Sequence, residues 1–170
     1  MRRLLPFVDI LIGNEGDADD MLGIRAGRSD REAGSLEIER YPDVASKILE
    51  TFPNISRVAF TLRESLSASY NRWGSMLYDR GSARAYFAPS TADGYHPYDI
   101  HNIVDRIGAG DSFSGALIYA LRDAELSQDL NRVLGFATAA SALCHSILGD
   151  FNYGEKHEIL ALLDGDKSGR

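Results

Sequence analysis

The residues best equipped for chemistry fall in one run: Val104-Asp105-Arg106-Ile107-Gly108-Ala109-Gly110-Asp111-Ser112-Phe113. Gly108 and Gly110 let the backbone turn sharply and come close to a ligand. The small, apolar pattern from 111 to 121 predicts a closely packed helix starting at about Gly110. The first N–H groups of a helix have no partner inside it, and the helix dipole favours negative charge there. A phosphoryl group suits such a turn, because backbone N–H groups bind it without net positive charge. Two roles are open to Asp111. It is a helix N-terminal carboxylate that complements the dipole, or it accepts the proton of an attacking hydroxyl. The run alone leaves both open. It is not a Walker loop, since no G-x-x-x-x-G-K-[ST] occurs, and it lacks the G-x-G-x-x-G dinucleotide pattern.

Other elements must hold this loop in place. Residues 7–13 (FVDILIG) and 58–62 (VAFTL) read as buried strands. Residues 73–78 and 85–88 read as two further strands, too close together for a crossover helix. They predict an antiparallel hairpin at one edge of a mostly parallel sheet. Residues 67–72 read as a polar turn and 89–97 as loop. Apolar residues at 41, 44, 45, 48, 49 and 52 make a helical stripe, closed by Pro53-Asn54. An alanine-rich helix is predicted over 130–147 and an amphipathic one over 155–163. A short acidic helix is predicted over 17–22, irregular surface over 25–39, and a flexible tail over 164–170. Alternating strands and helices imply an α/β layered fold.

The run Asp105-Arg106-Ile107-Gly108-Ala109-Gly110-Asp111 resembles the D-[TR]-x-G-[AG]-G-D signature of the ribokinase/PfkB sugar kinases. The resemblance implies that Asp111 is the catalytic base and that Gly108, Ala109 and Gly110 form an anion hole. Arg106 stands where many members carry Thr. The Asp-Arg form is familiar in the 2-keto-3-deoxygluconate kinase branch. Asn14-Glu15, at the end of the first strand, resemble the family pair that binds magnesium and phosphate through water. Thr61-Leu62-Arg63-Glu64, with residues 67–73, resembles the branch's nucleotide loop, with Arg63 where relatives carry Gly. Residues 145–152 (HSILGDFN) resemble the branch's H-T-I-x-G-D-F-N beside the adenine pocket. Thr61, Arg63 and Asn152 are thereby implied as nucleotide-binding residues. His145 as a general base competes with a packed or capping histidine at a helix end.

The resemblance implies a ribokinase-like three-layer α/β/α fold, with residues 1–163 forming the nucleotide-binding portion. It implies ATP-dependent, magnesium-assisted phosphorylation of a sugar acid, most simply 2-keto-3-deoxygluconate. A fructokinase- or ribokinase-like activity and a non-catalytic nucleotide-binding remnant are the alternatives. Members carry further strands, a small β lid and most sugar-binding residues ahead of the strand at 7–13. The expectation is therefore a lidless C-terminal half, arising from a truncated reading frame, an expressed fragment or a partner chain. Its uncovered sheet predicts a homo-oligomer.

Composition bounds these readings. The 170 residues fit one ordinary globular domain, 44% hydrophobic and 25% charged. A net charge of −7 disfavours nucleic acid or an anionic membrane as partner. The single cysteine, Cys144, cannot form an internal disulfide, which fits a reducing cytoplasm. It reads as a small core residue, with a catalytic thiol as the sharper alternative. Arg2-Arg3 are followed at once by Pro6 and Asp9, so a secretory leader is not expected. No segment is apolar for long enough to span a bilayer.

Overall fold

The computed structural model describes residues 2–14, 17, 23 and 38–165. Five strands form one mixed sheet: β1 (Ile10–Gly13), β2 (Arg57–Ser67), β3 (Tyr70–Asp79), β4 (Arg84–Ala88) and β7 (Tyr98–His101). Their order is β1-β2-β3-β4, with β7 also on β3. β1 runs parallel to β2, with Ile10 opposite Arg57 and Gly13 opposite Phe60. β7 runs antiparallel to β3, with Tyr70 opposite His101 and Trp73 opposite Tyr98. β5 (Ser90–Thr91) and β6 (Gly94–Tyr95) form a separate small hairpin. The longer helices among the described residues are α1 (Tyr41–Thr51), α2 (Ala109–Arg122), α3 (Leu130–Cys144) and α4 (Lys156–Leu163). No helix among the described residues is long and apolar enough to cross a membrane.

The chain divides into two compact units. Met1–Glu64 with Met76–Tyr86 form the first, and Ser65–Ser75 with Phe87–Arg170 the second. In the first, α1 buries Tyr41, Val44, Ala45, Ile48 and Leu49, the face set by the helical spacing. The Arg80 guanidinium ties down the end of α1 and the turn after it, donating to the carbonyls of Leu49, Phe52 and Ile55 at 2.6, 3.1 and 2.8 Å. Asp79 is buried. Burial pushes its carboxyl up, but hydrogen bonds from Ser82 and the Arg57 guanidinium hold it below its ordinary value.

In the second unit, α3 is the central helix, buried continuously from Val133 to Ala142 and again at Cys144. Its small residues permit close packing: a Cβ at Gly135 would run into the Leu163 side chain of α4. Asp129 caps its start by accepting from Asn131 N–H at 2.9 Å. The α4 start is closed by a capping box between Glu155 and Glu158. Lys156 ties α4 to the end of α2, 2.6 Å from the Asp123 carboxylate.

Some expectations shift. Of residues 7–13, only Ile10–Gly13 are strand, and they are half-buried. Pro6 initiates a short 3₁₀ turn over Leu5–Phe7 instead, leaving Phe7 exposed. The polar turn expected over 67–72 shrinks to Ala68-Ser69, because both flanks are strand. Backbone pairing is indifferent to side-chain polarity, and Tyr70–Trp73 are held by the ladder to β7. The alanine-rich helix ends at Cys144 rather than 147. The predicted helix at 17–22 and the surface at 25–39 lie almost wholly outside the described residues, as do 166–170 of the expected tail. Asp164 of that tail pairs with Arg132 at 2.9 Å.

Candidate active site

The glycine loop and everything that holds it belong to the second unit. After β7, Val104 N–H donates to the His145 carbonyl at 2.9 Å, which fastens the chain to the end of α3. Asp105 then closes the base of the loop. Its Oδ1 accepts from Arg106 N–H at 2.7 Å and Ile107 N–H at 3.0 Å, and its Oδ2 from Gly149 N–H at 3.1 Å. These three backbone donors, from Ile107, Gly149 and Arg106, hold the Asp105 carboxyl below the usual carboxylate range. Arg106 reaches away from the loop, with one guanidinium nitrogen donating to the carbonyls of Ser67 and Ala68 at 2.7 and 2.8 Å. The residue at the variable position of the motif is thus a strut to the β2–β3 turn.

The Asp105 clip gives an acid-sensitive signature. A carboxyl whose folded-state pKa is depressed adds stability above its unfolded pKa, near 3.8 here, and loses that contribution as pH falls through the folded value. Asp105→Asn should therefore lower the thermal midpoint at neutral pH, with the gap to wild type closing in acid. Melting curves from pH 7 to pH 2 read this directly. A gap that stays constant across the range would reject the clip.

Gly108 makes the turn into α2. It sits at φ +80°, in the left-handed region, and no side chain caps the helix start. Ser112 N–H donates to the Gly108 carbonyl at 2.7 Å as the first bond of the helix. The N–H groups of Ala109, Gly110 and Asp111 precede that bond and have no acceptor inside the helix. Gly110 and Asp111 are exposed, and a Cβ built on Gly110 meets nothing within 4 Å. Asp111 thus places an exposed carboxylate in the first turn, beside the amides that precede the first helical bond and next to the open space at Gly110. Its carboxylate does not cap the helix. A phosphate-bearing ligand fits this arrangement on amide geometry, dipole and room.

Behind the loop the groups are buried. Ser141 Oγ donates to the Ala109 carbonyl at 2.7 Å. His145 Nδ1 lies 2.9 Å from the Ser141 carbonyl, which can only accept, so the proton is on Nδ1. His145 is 2% exposed and packs edge-on to Trp73 at 4.8 Å, the packed histidine rather than the general base. Burial, with Asp105, Asp111 and Asp150 nearby, pushes the Cys144 thiol up, so it is a poor nucleophile and reads as core. Asn152 Nδ2 donates to Ser112 Oγ and the Ala140 carbonyl at 2.7 and 2.9 Å, while its Oδ1 accepts from Gly154 N–H at 2.8 Å. Its two donor bonds brace α2 against α3.

Of the remaining expected site residues, Asn14, Thr61 and Arg63 belong to the first unit. Thr61 is half-buried and Arg63 exposed on β2. Asn14 is exposed, and its side-chain oxygen accepts from Asp17 N–H at 3.1 Å. Glu15 lies outside the described residues. Among the described residues no three His, Cys, Asp or Glu side chains gather as a metal cage.

The pfkB family carbohydrate kinase profile matches residues 71–151, which contain the glycine loop, its buried support and Asn71 to Phe151. A 2-dehydro-3-deoxygluconokinase from Thermotoga maritima is 39% identical over 97% of this chain, with a TM-score of 0.79. The chain belongs to the pfkB carbohydrate kinase family. A PfkB family carbohydrate kinase from Listeria grayi is 27% identical over 96% of the chain, with a TM-score of 0.73. Arabidopsis thaliana ribokinase, solved with ribose and ATP, shares the fold at 22% identity, 96% coverage and a TM-score of 0.59. The pfkB fold here is thus the ribokinase-like α/β fold. The chain spans 44%, 43% and 43% of the lengths of these three proteins. No curated protein sequence matches it.

Sequence reasoning did not single out Ser141 or Ser112 in this pfkB site. Ser141 carried a signal: it is a lone hydroxyl in the run Ala139-Ala140-Ser141-Ala142, on a helix too buried to leave it without a partner. Ser112 carried none, because a serine in the first turn of a helix is common.

Proposed function

We propose that this chain carries the phosphoryl-transfer face of an ATP-dependent sugar kinase acting on a keto-deoxy sugar acid, 2-keto-3-deoxygluconate in the first instance. The observation that carries the reading is the exposed Asp111 carboxylate in the first turn of a helix with no side-chain cap, next to the exposed Gly110. The choice of sugar acid is supported by the 39% identity to the Thermotoga maritima enzyme.

In this reading the acceptor hydroxyl gives its proton to Asp111 as its oxygen attacks the γ-phosphorus of ATP. The bond from that phosphorus to the β–γ bridging oxygen breaks, and ADP leaves. Phosphoryl transfer asks little covalent chemistry of the protein, so positioning and charge stabilisation do most of the catalysis. The Gly108–Gly110 backbone meets the charge on the transferring group, and the α2 dipole adds to it. Magnesium supplies further neutralisation of phosphate charge and is usually held by phosphate oxygens and water with few protein ligands.

The test measures ATP binding and ADP release with magnesium and, in turn, 2-keto-3-deoxygluconate, fructose and ribose. Highest kcat/KM with the keto-deoxy acid supports the reading. Turnover favouring fructose or ribose moves the substrate class, and ATP binding without turnover on any sugar supports a nucleotide-binding module. A chain that binds no ATP sinks the proposal.

A further inference from the structure

Three carbonyls of the glycine turn are each pinned by a donor. Gly108 O accepts from Ser112 N–H at 2.7 Å, Ala109 O from Ser141 Oγ at 2.7 Å, and Gly110 O from Ser114 Oγ at 2.9 Å. A trans peptide is planar, so its C=O and the N–H of the next residue point in opposite directions. Fixing these carbonyls inward therefore aims the N–H groups of Ala109, Gly110 and Asp111 outward. Two of these three donors, Ser112 and Ser114, come from α2 itself, whose regular pairing also brings Phe113 N–H to the Ala109 carbonyl. The third comes from α3, 32 residues further along the chain.

We infer that Ser141 is a positioning residue for the glycine turn, setting the direction of the Gly110 N–H through the Ala109 carbonyl. The inference rests on the turn being the phosphate-binding element of the proposed kinase. Ser141 is suited to the task because it is fully buried and cannot exchange its partner for water. Its own carbonyl accepts from His145 Nδ1, and His145 is wedged against Trp73. Trp73, Ala109 and Ala142 share one apolar cluster, with Tyr98, Ile100 and Leu162 packed against it. The middle peptide of the turn is thus referenced to a buried, packed cluster of the unit, as well as to its own helix. Such outer support is what fixes a reactive geometry to within fractions of an ångström.

A merely structural hydroxyl would not touch the Gly110 amide, and a control exists. Ser75 Oγ shares a hydrogen bond with Thr138 Oγ1 on α3, also fully buried, with no bond to the turn. The experiment compares Ser141→Ala, Ser141→Cys and Ser75→Ala in the full chain. It reads the Gly110 amide resonance by ¹H–¹⁵N NMR and the affinity for ATP by calorimetry. Loss of one such bond is expected to weaken ATP binding about tenfold in Ser141→Ala. The Gly110 resonance should move in Ser141→Ala, move less in Ser141→Cys and stay in place in Ser75→Ala. An unmoved Gly110 resonance in Ser141→Ala overturns the inference whatever ATP does. If Ser141→Ala does not fold, the near-isosteric Ser141→Cys decides on the same criterion. A wild-type chain that binds no ATP would defeat the kinase reading alone, and the Gly110 resonance would still decide the role of Ser141.

Discussion

Asp111→Asn is expected to lower ADP release with 2-keto-3-deoxygluconate by about 10²–10⁴-fold, the usual contribution of a positioned general base. Its thermal midpoint should scarcely change. Asp111 is exposed and caps nothing, so its structural value is limited to the dipole, about 0.3–1 kcal/mol. The two roles open to this residue therefore differ in kind as well as size. A carboxylate that only complements the dipole would lose that fraction of a kcal/mol in stability and leave turnover alone. A base would lose turnover at nearly constant stability, with ATP affinity retained because the amides are untouched. Parallel melting curves and steady-state kinetics on the two proteins separate the cases. Turnover by Asp111→Asn within a few-fold of wild type would remove Asp111 from the chemistry.

The glycine loop was legible in the sequence because its requirements are local. A turn into a helix that leaves amides free needs glycine at defined positions, and residues 108 to 111 announce it. The α1 stripe was legible for the same reason, since helical period alone sets its buried face. What the sequence hid is what depends on contact between distant segments. β7 is four residues, Tyr98–His101, two of them exposed, and it is a strand only because β3 offers a partner. The turn expected over 67–72 failed on the same ground. Arg106 read as a variable motif position, and its role appears only when the Ser67 and Ala68 carbonyls are placed within its reach. Asn152 read as a nucleotide contact, and the fold adds a bracing role through Ser112, Ala140 and Gly154 that the sequence did not announce. Motif resemblance identifies which positions matter. Which partner each one takes is set by the fold.

Gly108→Ala and Gly110→Ala should have opposite effects on folding, although only Ala109 separates them. Gly108 is at φ +80°, where an L side chain costs about 1–2 kcal/mol. Its new Cβ would also press on the Asp150 backbone, with the carbonyl carbon and Cα both 2.8 Å away. Backbone cannot rotate aside as a side chain can, so either the turn or the 149–152 segment must move. The combined loss should reach about 2–4 kcal/mol, visible as a fall in the unfolding midpoint in urea. Gly110 has neither constraint. It lies in α2, and its Cβ would meet nothing within 4 Å. Alanine there should add about 0.5–1 kcal/mol to stability, because helix propensity favours it over glycine. A methyl group beside the free amides would nevertheless intrude on any anion held there, so Gly110→Ala should be more stable yet bind ATP more weakly. Stability and affinity moving in opposite directions would mark Gly110 as a glycine required by a ligand, and Gly108 as one required by the fold. A Gly110→Ala chain that binds ATP as tightly as wild type would place the phosphates away from the start of α2.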